Sequence, residues 1–173
     1  VLTATDWNTY IRDNLEQTMT AKATTPGSHF VSLTTNQIVE RTFKEDSDDA
    51  EALFSGTTFA HPGTGDPGPV VTVSCGTRAL VFWSGRFRSV SAAGVIVGMS
   101  IRVTGATAIT ADDAWMIEIE GSASGDEREV GMSHLFTGLT PGTNSFTCLY
   151  KVSSVGAAGT GRVSNRQIIV IPL

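Results

Sequence analysis

From Leu53 to Leu173, apolar residues recur at every second position in short runs, most clearly Val71, Val73, Cys75 and Phe146, Cys148, Tyr150, Val152. A period of two marks a strand with one face buried and the other facing water. The runs predict strands over 53–60, 69–75, 78–89, 94–104, 114–120, 128–138, 143–152 and 161–172. They are separated by turn-forming clusters such as Gly63-Thr64-Gly65-Asp66-Pro67-Gly68-Pro69 and Pro141-Gly142-Thr143-Asn144. With no helical period between them, these strands predict a mainly β head over 53–173, an antiparallel β-sandwich of jelly-roll-like form.

The first 52 residues read differently. Thr3 and Asp6 have the spacing of a capping box, and Trp7, Tyr10, Ile11, Asn14 and Leu15 follow at i, i+3, i+4, i+7 and i+8. That pattern predicts an amphipathic helix over 4–16. About three turns are marginal alone in water, so the stripe requires a surface to bury against. Residues 18–28 have no apolar period and end in the Pro26-Gly27 turn signal, which predicts a linker. Phe30–Leu33 and Gln37–Phe43 are expected to pair as a hairpin across Thr34-Thr35-Asn36. The acidic run from Lys44 to Glu51 is most simply a solvated loop, which closes an N-terminal arm of 1–52.

Composition narrows the class. Charged residues make up 17% of the chain against about 25% in an average domain, yet hydrophobic residues reach 40%, which excludes the disordered class. Apolar runs such as Val95–Val97 and Ile168–Ile171 fall far short of the roughly 18 residues a membrane-spanning helix needs. The net charge of −5 belongs entirely to the arm. Residues 1–51 hold nine acidic and four basic side chains, and 52–173 hold eight of each. Scattered arginines in an acidic chain argue against nucleic-acid binding, which draws on clustered cations. Cys75 and Cys148 fit no metal or redox spacing and read as small inward-facing residues.

No constellation of catalytic groups emerges. His29, His61 and His134 are isolated from one another and from the cysteines, so no metal set forms from them. Ser133 follows Gly131 by two residues but lacks the second glycine and the helix of a nucleophile elbow. Gly63–Gly68 has no Lys-Ser/Thr sequel and is not a phosphate loop. Glu118 and Glu120 alternate with Ile117 and Ile119, the arrangement of an outward strand face, so that a glycosidase pair with Asp126, Glu127 or Glu129 has little behind it. Asp46, Asp48, Asp49 and Glu51 lack the spacing of a calcium loop. The expectation is a protein that is not an enzyme and carries no metal and no cofactor. One surface stands out as a ligand candidate, made of Trp83, Arg86, Arg88 and Trp115, where rings and guanidinium groups offer stacking for a sugar or a nucleotide. The plainer reading is that the arginines cover apolar edges or meet acidic groups across a subunit contact.

The opening Val1-Leu2-Thr3-Ala4-Thr5-Asp6-Trp7-Asn8-Thr9-Tyr10-Ile11-Arg12-Asp13-Asn14-Leu15 resembles the start of minor tail, fibre-like and capsid-decorating proteins of tailed phages, chiefly those of actinobacteria. Ala21–Gly27 is similar to the next block of that family. Pro69–Val73, Gly138–Thr147 and Val163–Leu173 look like the β head its members often carry, whereas 43–54 matches nothing in it. The resemblance implies a virion structural protein made in the host cytoplasm and carried on the particle surface. Leu2, Trp7, Tyr10, Ile11 and Leu15 would anchor it to a capsid or tail protein while the head projects. It also implies self-association, with a homotrimer expected, and leaves room for a host cell-surface glycan as a further partner.

Overall fold

The computed structural model describes Thr3, Thr5 and residues 24–34, 37–63, 66–90, 94–122, 125–154 and 159–173. All of the predicted helix over 4–16 except Thr5, its anchoring residues Leu2, Trp7, Tyr10, Ile11 and Leu15, and most of the linker lie outside the described residues. The chain divides into two compact units, Val1–Thr42 and Phe43–Leu173.

In the first unit the expected hairpin is present. Strand β1 (Ser28–Thr34) pairs antiparallel with β2 (Gln37–Thr42), Val31 opposite Val39. Glu40 fixes the approach to β1. Its carboxylate accepts the N–H groups of Thr24 and Thr25 at 2.8 and 2.9 Å, and the hydroxyls of Thr24 and Ser28 at 2.6 and 2.5 Å. Hydrogen bonds from Ser28 and Thr24, then from the Thr25 amide, favour the ionised form and hold Glu40 down at about 2. The segment read as a linker therefore ends in a knot of four hydrogen bonds onto a charged acceptor.

Among the described residues, the second unit holds nine strands in two antiparallel sheets. One sheet runs β5 (Val70–Cys75), β10 (Gly142–Ser154), β7 (Val95–Gly105), β8 (Ile117–Gly121). The other runs β3 (Lys44–Asp48), β11 (Gly161–Pro172), β6 (Arg78–Ser89), β9 (Glu127–Thr137), with β4 (Ala52–Phe54) following β3 along the same edge of β11. First pairs with last, β5 with β10, β6 with β9, and β7 with β8. This nested order is that of a long hairpin folded into two Greek keys, the jelly-roll plan. Seven of the eight expected strands keep their places within a few residues. The run 53–60 contributes only Ala52–Phe54, because the chain beyond it leaves β11 and lies along β10, where Ala60 and Tyr150 exchange backbone hydrogen bonds.

Alternation explains the core. Ala79, Val81, Trp83 and Phe87 of β6 point inward, as do Val71, Val73 and Cys75 of β5 and Phe146, Cys148, Tyr150 and Val152 of β10. Both cysteines are buried and neither is in a disulfide. Burial pushes the Cys148 thiol well above its ordinary range, which leaves it an inert packing group. At the β8/β9 edge, Trp115 stacks on His134 at 5.3 Å between centroids, and Phe136 meets both rings and Phe146 edge-on. The turn before β10 is clamped by Asn144, fully buried, whose amide donates to the carbonyls of Thr140 and Gly142 and accepts from the N–H of Thr107.

The acidic run is not a solvated loop and does not belong to an arm. Lys44–Asp48 is edge strand β3, and the compact unit begins at Phe43 rather than at residue 53. Three of its charged residues, and Glu51 just beyond it, are met by partners from elsewhere in the fold. Asp46 accepts the N–H of Val70 at 2.8 Å, Lys44 donates to the carbonyl of Thr72 at 3.0 Å, Asp48 pairs with Arg166, and Glu51 pairs with Arg162 and Arg88.

Candidate functional site

The residues expected to form one ligand surface are split by the pleat. Arg86 and Arg88 stand on the outer face of β6, whereas Trp83 is odd-numbered on the same strand, points into the core and is 2% exposed. Trp115 sits in a 3-10 turn (Asp113–Trp115), donates its Nε1–H to the carbonyl of Ile101 at 3.3 Å and packs against the core from the β8/β9 edge. The four do not form a common surface. Phe82, the ring beside Trp83 in sequence, is the aromatic residue of β6 that faces outward.

The outer face of the five-stranded sheet has a gradient. At one end Leu80 stands opposite Leu135 and Ile171, and in the next row Phe82 lies between Ile169 and Ser133. Phe82 and Leu135 are 39% and 44% exposed, large for apolar residues standing next to one another on a sheet. Midway, Ser84, Gly131 and Gln167 floor a shallow depression of about 380 Å³. At the far end the side chains are charged and already paired. Arg86 meets Glu127, Arg162 meets Glu51, and Arg88 lies 3.8 Å from Glu51. The arginines therefore meet acidic groups as the plainer reading held, but within one chain. Glu118 and Glu120 face outward on β8, as their alternation implies.

A second cluster was invisible in the sequence. β11 bulges between Ser164 and Gln167, with Asn165 in the left-handed region at φ 48°. One extra residue reverses the phase of the strand, so that Val163 and Arg166 both point inward. Arg166 is fully buried. It bonds Asp48 of β3, Asp66 at 3.0 Å and the carbonyl of Ala50 at 3.3 Å, and its guanidinium lies 5.8 Å from the centre of the Tyr150 ring. Burial pushes the Asp66 carboxyl up, but the Arg166 hydrogen bond, the N–H of Gly68 and the charge of Arg166 outweigh it and leave Asp66 below its ordinary range. Burial likewise raises the Tyr150 hydroxyl. The cluster ties the edge strand, the 55–69 loop and β11 together. Its charge is spent on fixing those segments, since Arg166 has no solvent exposure for meeting a ligand.

The third feature is a trough across the outer face of the four-stranded sheet, about 520 Å³, walled by 57–59 on one side and 110–113 on the other. The second wall lies close because Gly98 of β7 has no side chain. A Cβ there would stand 2.5 Å from the sulfur of Met116. Ser100 then pins the wall by donating its hydroxyl to the carbonyl of Asp112 at 2.8 Å and accepting the Asp112 N–H at 3.2 Å. Among the described residues, no group of three or more His, Cys, Asp or Glu side chains is placed to hold a metal ion, and no helix is long and apolar enough to cross a membrane.

No protein-family model and no curated protein matches the chain. Solved structures do match. The T13 particle of infectious bursal disease virus (IBDV) contains a chain that superposes with a TM-score of 0.54 at 12% identity, over 82% of this chain and 35% of that one. Chains of the T=1 particles derived from the same virus (0.51, 13%, 81% and 35%) and of its VP2 subviral particle (0.50, 11%, 82% and 37%) are similar to the same extent. The chain thus spans little more than a third of their length. At such identity the likeness is one of fold: this β-sandwich recurs as a portion of chains that build a virus particle.

Proposed function

We propose that the chain is a structural protein of a tailed-phage virion, a capsid decoration or minor capsid protein held by its N-terminal arm with the β head projecting. The observation that carries this reading is a conjunction. The opening 15 residues resemble the particle-bound arm of phage virion proteins, and the sandwich behind them has a fold also found in chains of virus particles. Its ionic side chains support a structural role, since Arg166, Asp48 and Glu51 are engaged in holding strands together.

Self-association as a homotrimer completes the proposal, and the outer face of the five-stranded sheet is the surface that suits it. Its apolar end offers the exposed parts of Phe82 and Leu135 for burial, worth about 0.6–1.3 kcal/mol each when covered. At its charged end Arg86 and Arg162 are already paired with Glu127 and Glu51 within the chain, so that covering these four strands no unpaired ion.

Electron microscopy of virions carrying a gold-labelled tag after Leu173 tests the placement. Label distributed over the shell is the expected result. Label confined to the tail would replace decoration with a minor tail or fibre-like role, and unlabelled particles would overturn the virion reading.

A further inference from the structure

The trough on the four-stranded sheet has the make-up of a binding site, and the particle reading makes no use of it. Its floor is Leu149, which points away from the core yet is only 4% exposed. An outward leucine that deeply covered is the base of a concavity rather than part of the surface. Beside it, Lys151 is held in place twice over. Its ammonium pairs with Asp113 and lies 4.8 Å from the centre of the Phe59 ring, and its side chain is 13% exposed. Asp112 is fixed by the Ser100 hydroxyl and by accepting the N–H of Ala114 at 2.8 Å. Arg102 lines the same trough, and its Nε is buried without a hydrogen-bond partner.

The chemistry of these groups selects a class of ligand. Two acids and two bases share one trough, so an anion meets Asp112 and Asp113 and a cation meets Arg102 and Lys151. An uncharged polyol meets neither penalty, because each hydroxyl accepts from a cation while donating to a carboxylate. Leu149 and the Phe59 ring supply apolar contact for the C–H face of a ring whose rim is hydroxylated. The volume lies within the range of small-molecule sites. We propose that this trough binds a neutral pyranose unit, with Arg102 and Lys151 as donors, Asp113 as acceptor and Leu149 as the apolar floor. The proposal stands on the sandwich alone and does not depend on a place in the virion.

The test is a nitrogen-15 NMR titration of the full chain with the methyl glycosides of glucose, galactose, mannose and N-acetylglucosamine, and with sodium glucuronate as the charged counterpart. At least one neutral glycoside should give saturable shifts at the amides of Phe59, Arg102, Asp113 and Lys151. Affinity should fall by about tenfold or more in both Arg102→Met and Asp113→Asn, as expected on losing a hydrogen bond to a charged group. Asp113→Asn alters an exposed carboxylate, and an unchanged spectrum elsewhere shows that the fold survives it. Saturation by none of the neutral glycosides, saturation by glucuronate alone, or shifts that persist unchanged in both variants would each overturn the assignment.

Discussion

Replacing Asp48 and Asp66 together by Asn should lower the melting temperature of the head by about 10–20 °C. The two carboxylates are the charged partners of Arg166, whose side chain has no solvent exposure, so their loss leaves a guanidinium buried among neutral groups. Breaking a buried pair in this way costs about 3–5 kcal/mol, and each kcal/mol is worth a few degrees in a unit of this size. Adding Arg166→Met to the double variant should restore much of the loss, because no ion is then buried without a partner. A thermal melt of the three proteins decides it, and a double variant as stable as the parent would show that Arg166 is solvated by some other route. The dependence on pH has a definite sign. Asp66 is held below its ordinary range when folded, so its stabilisation is fully present above the unfolded value near 4 and is lost as pH falls through the lower folded value. The gap in melting temperature between parent and double variant should therefore narrow on acidification below about pH 4.

The second large effect concerns assembly. The parent chain should sediment as a trimer, and Phe82→Asp combined with Leu135→Asp should reduce its mass by light scattering to that of the 18.2 kDa monomer, with the circular dichroism of the strands unchanged. Both residues stand on the outer face and neither contributes to the core, so the substitutions leave folding intact. In a trimer each places a carboxylate in an apolar contact three times over, on top of about 0.6–1.3 kcal/mol of burial lost at each side chain. Every 1.4 kcal/mol is tenfold in affinity, which carries the assembly far past dissociation at micromolar concentration. A parent protein that is itself monomeric, or a variant that keeps the parent's mass, would remove this face from the account.

Most of the sandwich was legible in the sequence because one face of nearly every strand is apolar. Val71, Val73 and Cys75, or Ile117 and Ile119, announce both the strand and its inward side. Strand β3 was not legible. Lys-Glu-Asp-Ser-Asp has no apolar residue to alternate, and what makes it a strand is the free edge of β11 together with Arg166, the Thr72 carbonyl and the Val70 amide, which answer its charges from far along the chain. The bulge at Asn165 left no trace either, since the phase shift that sends Arg166 inward depends on pairing with β6. The misplaced ligand surface is a different kind of error. The parity of β6 already separates Trp83 from Arg86 and Arg88, but two adjacent rings at 82 and 83 fit either face, and only the packed core determines which is buried. The trough could not be foreseen, because Phe59, Arg102, Asp113 and Lys151 belong to four segments that approach one another only through the fold.

The central claim is that the N-terminal arm attaches a projecting head to a virion. Its most direct test compares the full chain with residues 21–173 for incorporation into particles assembled by a phage deleted for the gene, measured by quantitative mass spectrometry of purified virions. The account predicts a truncated protein that is soluble, keeps the strand spectrum of the head and is absent from particles, whereas the full chain is recovered on them. Incorporation of the truncated chain at the level of the full one would contradict it.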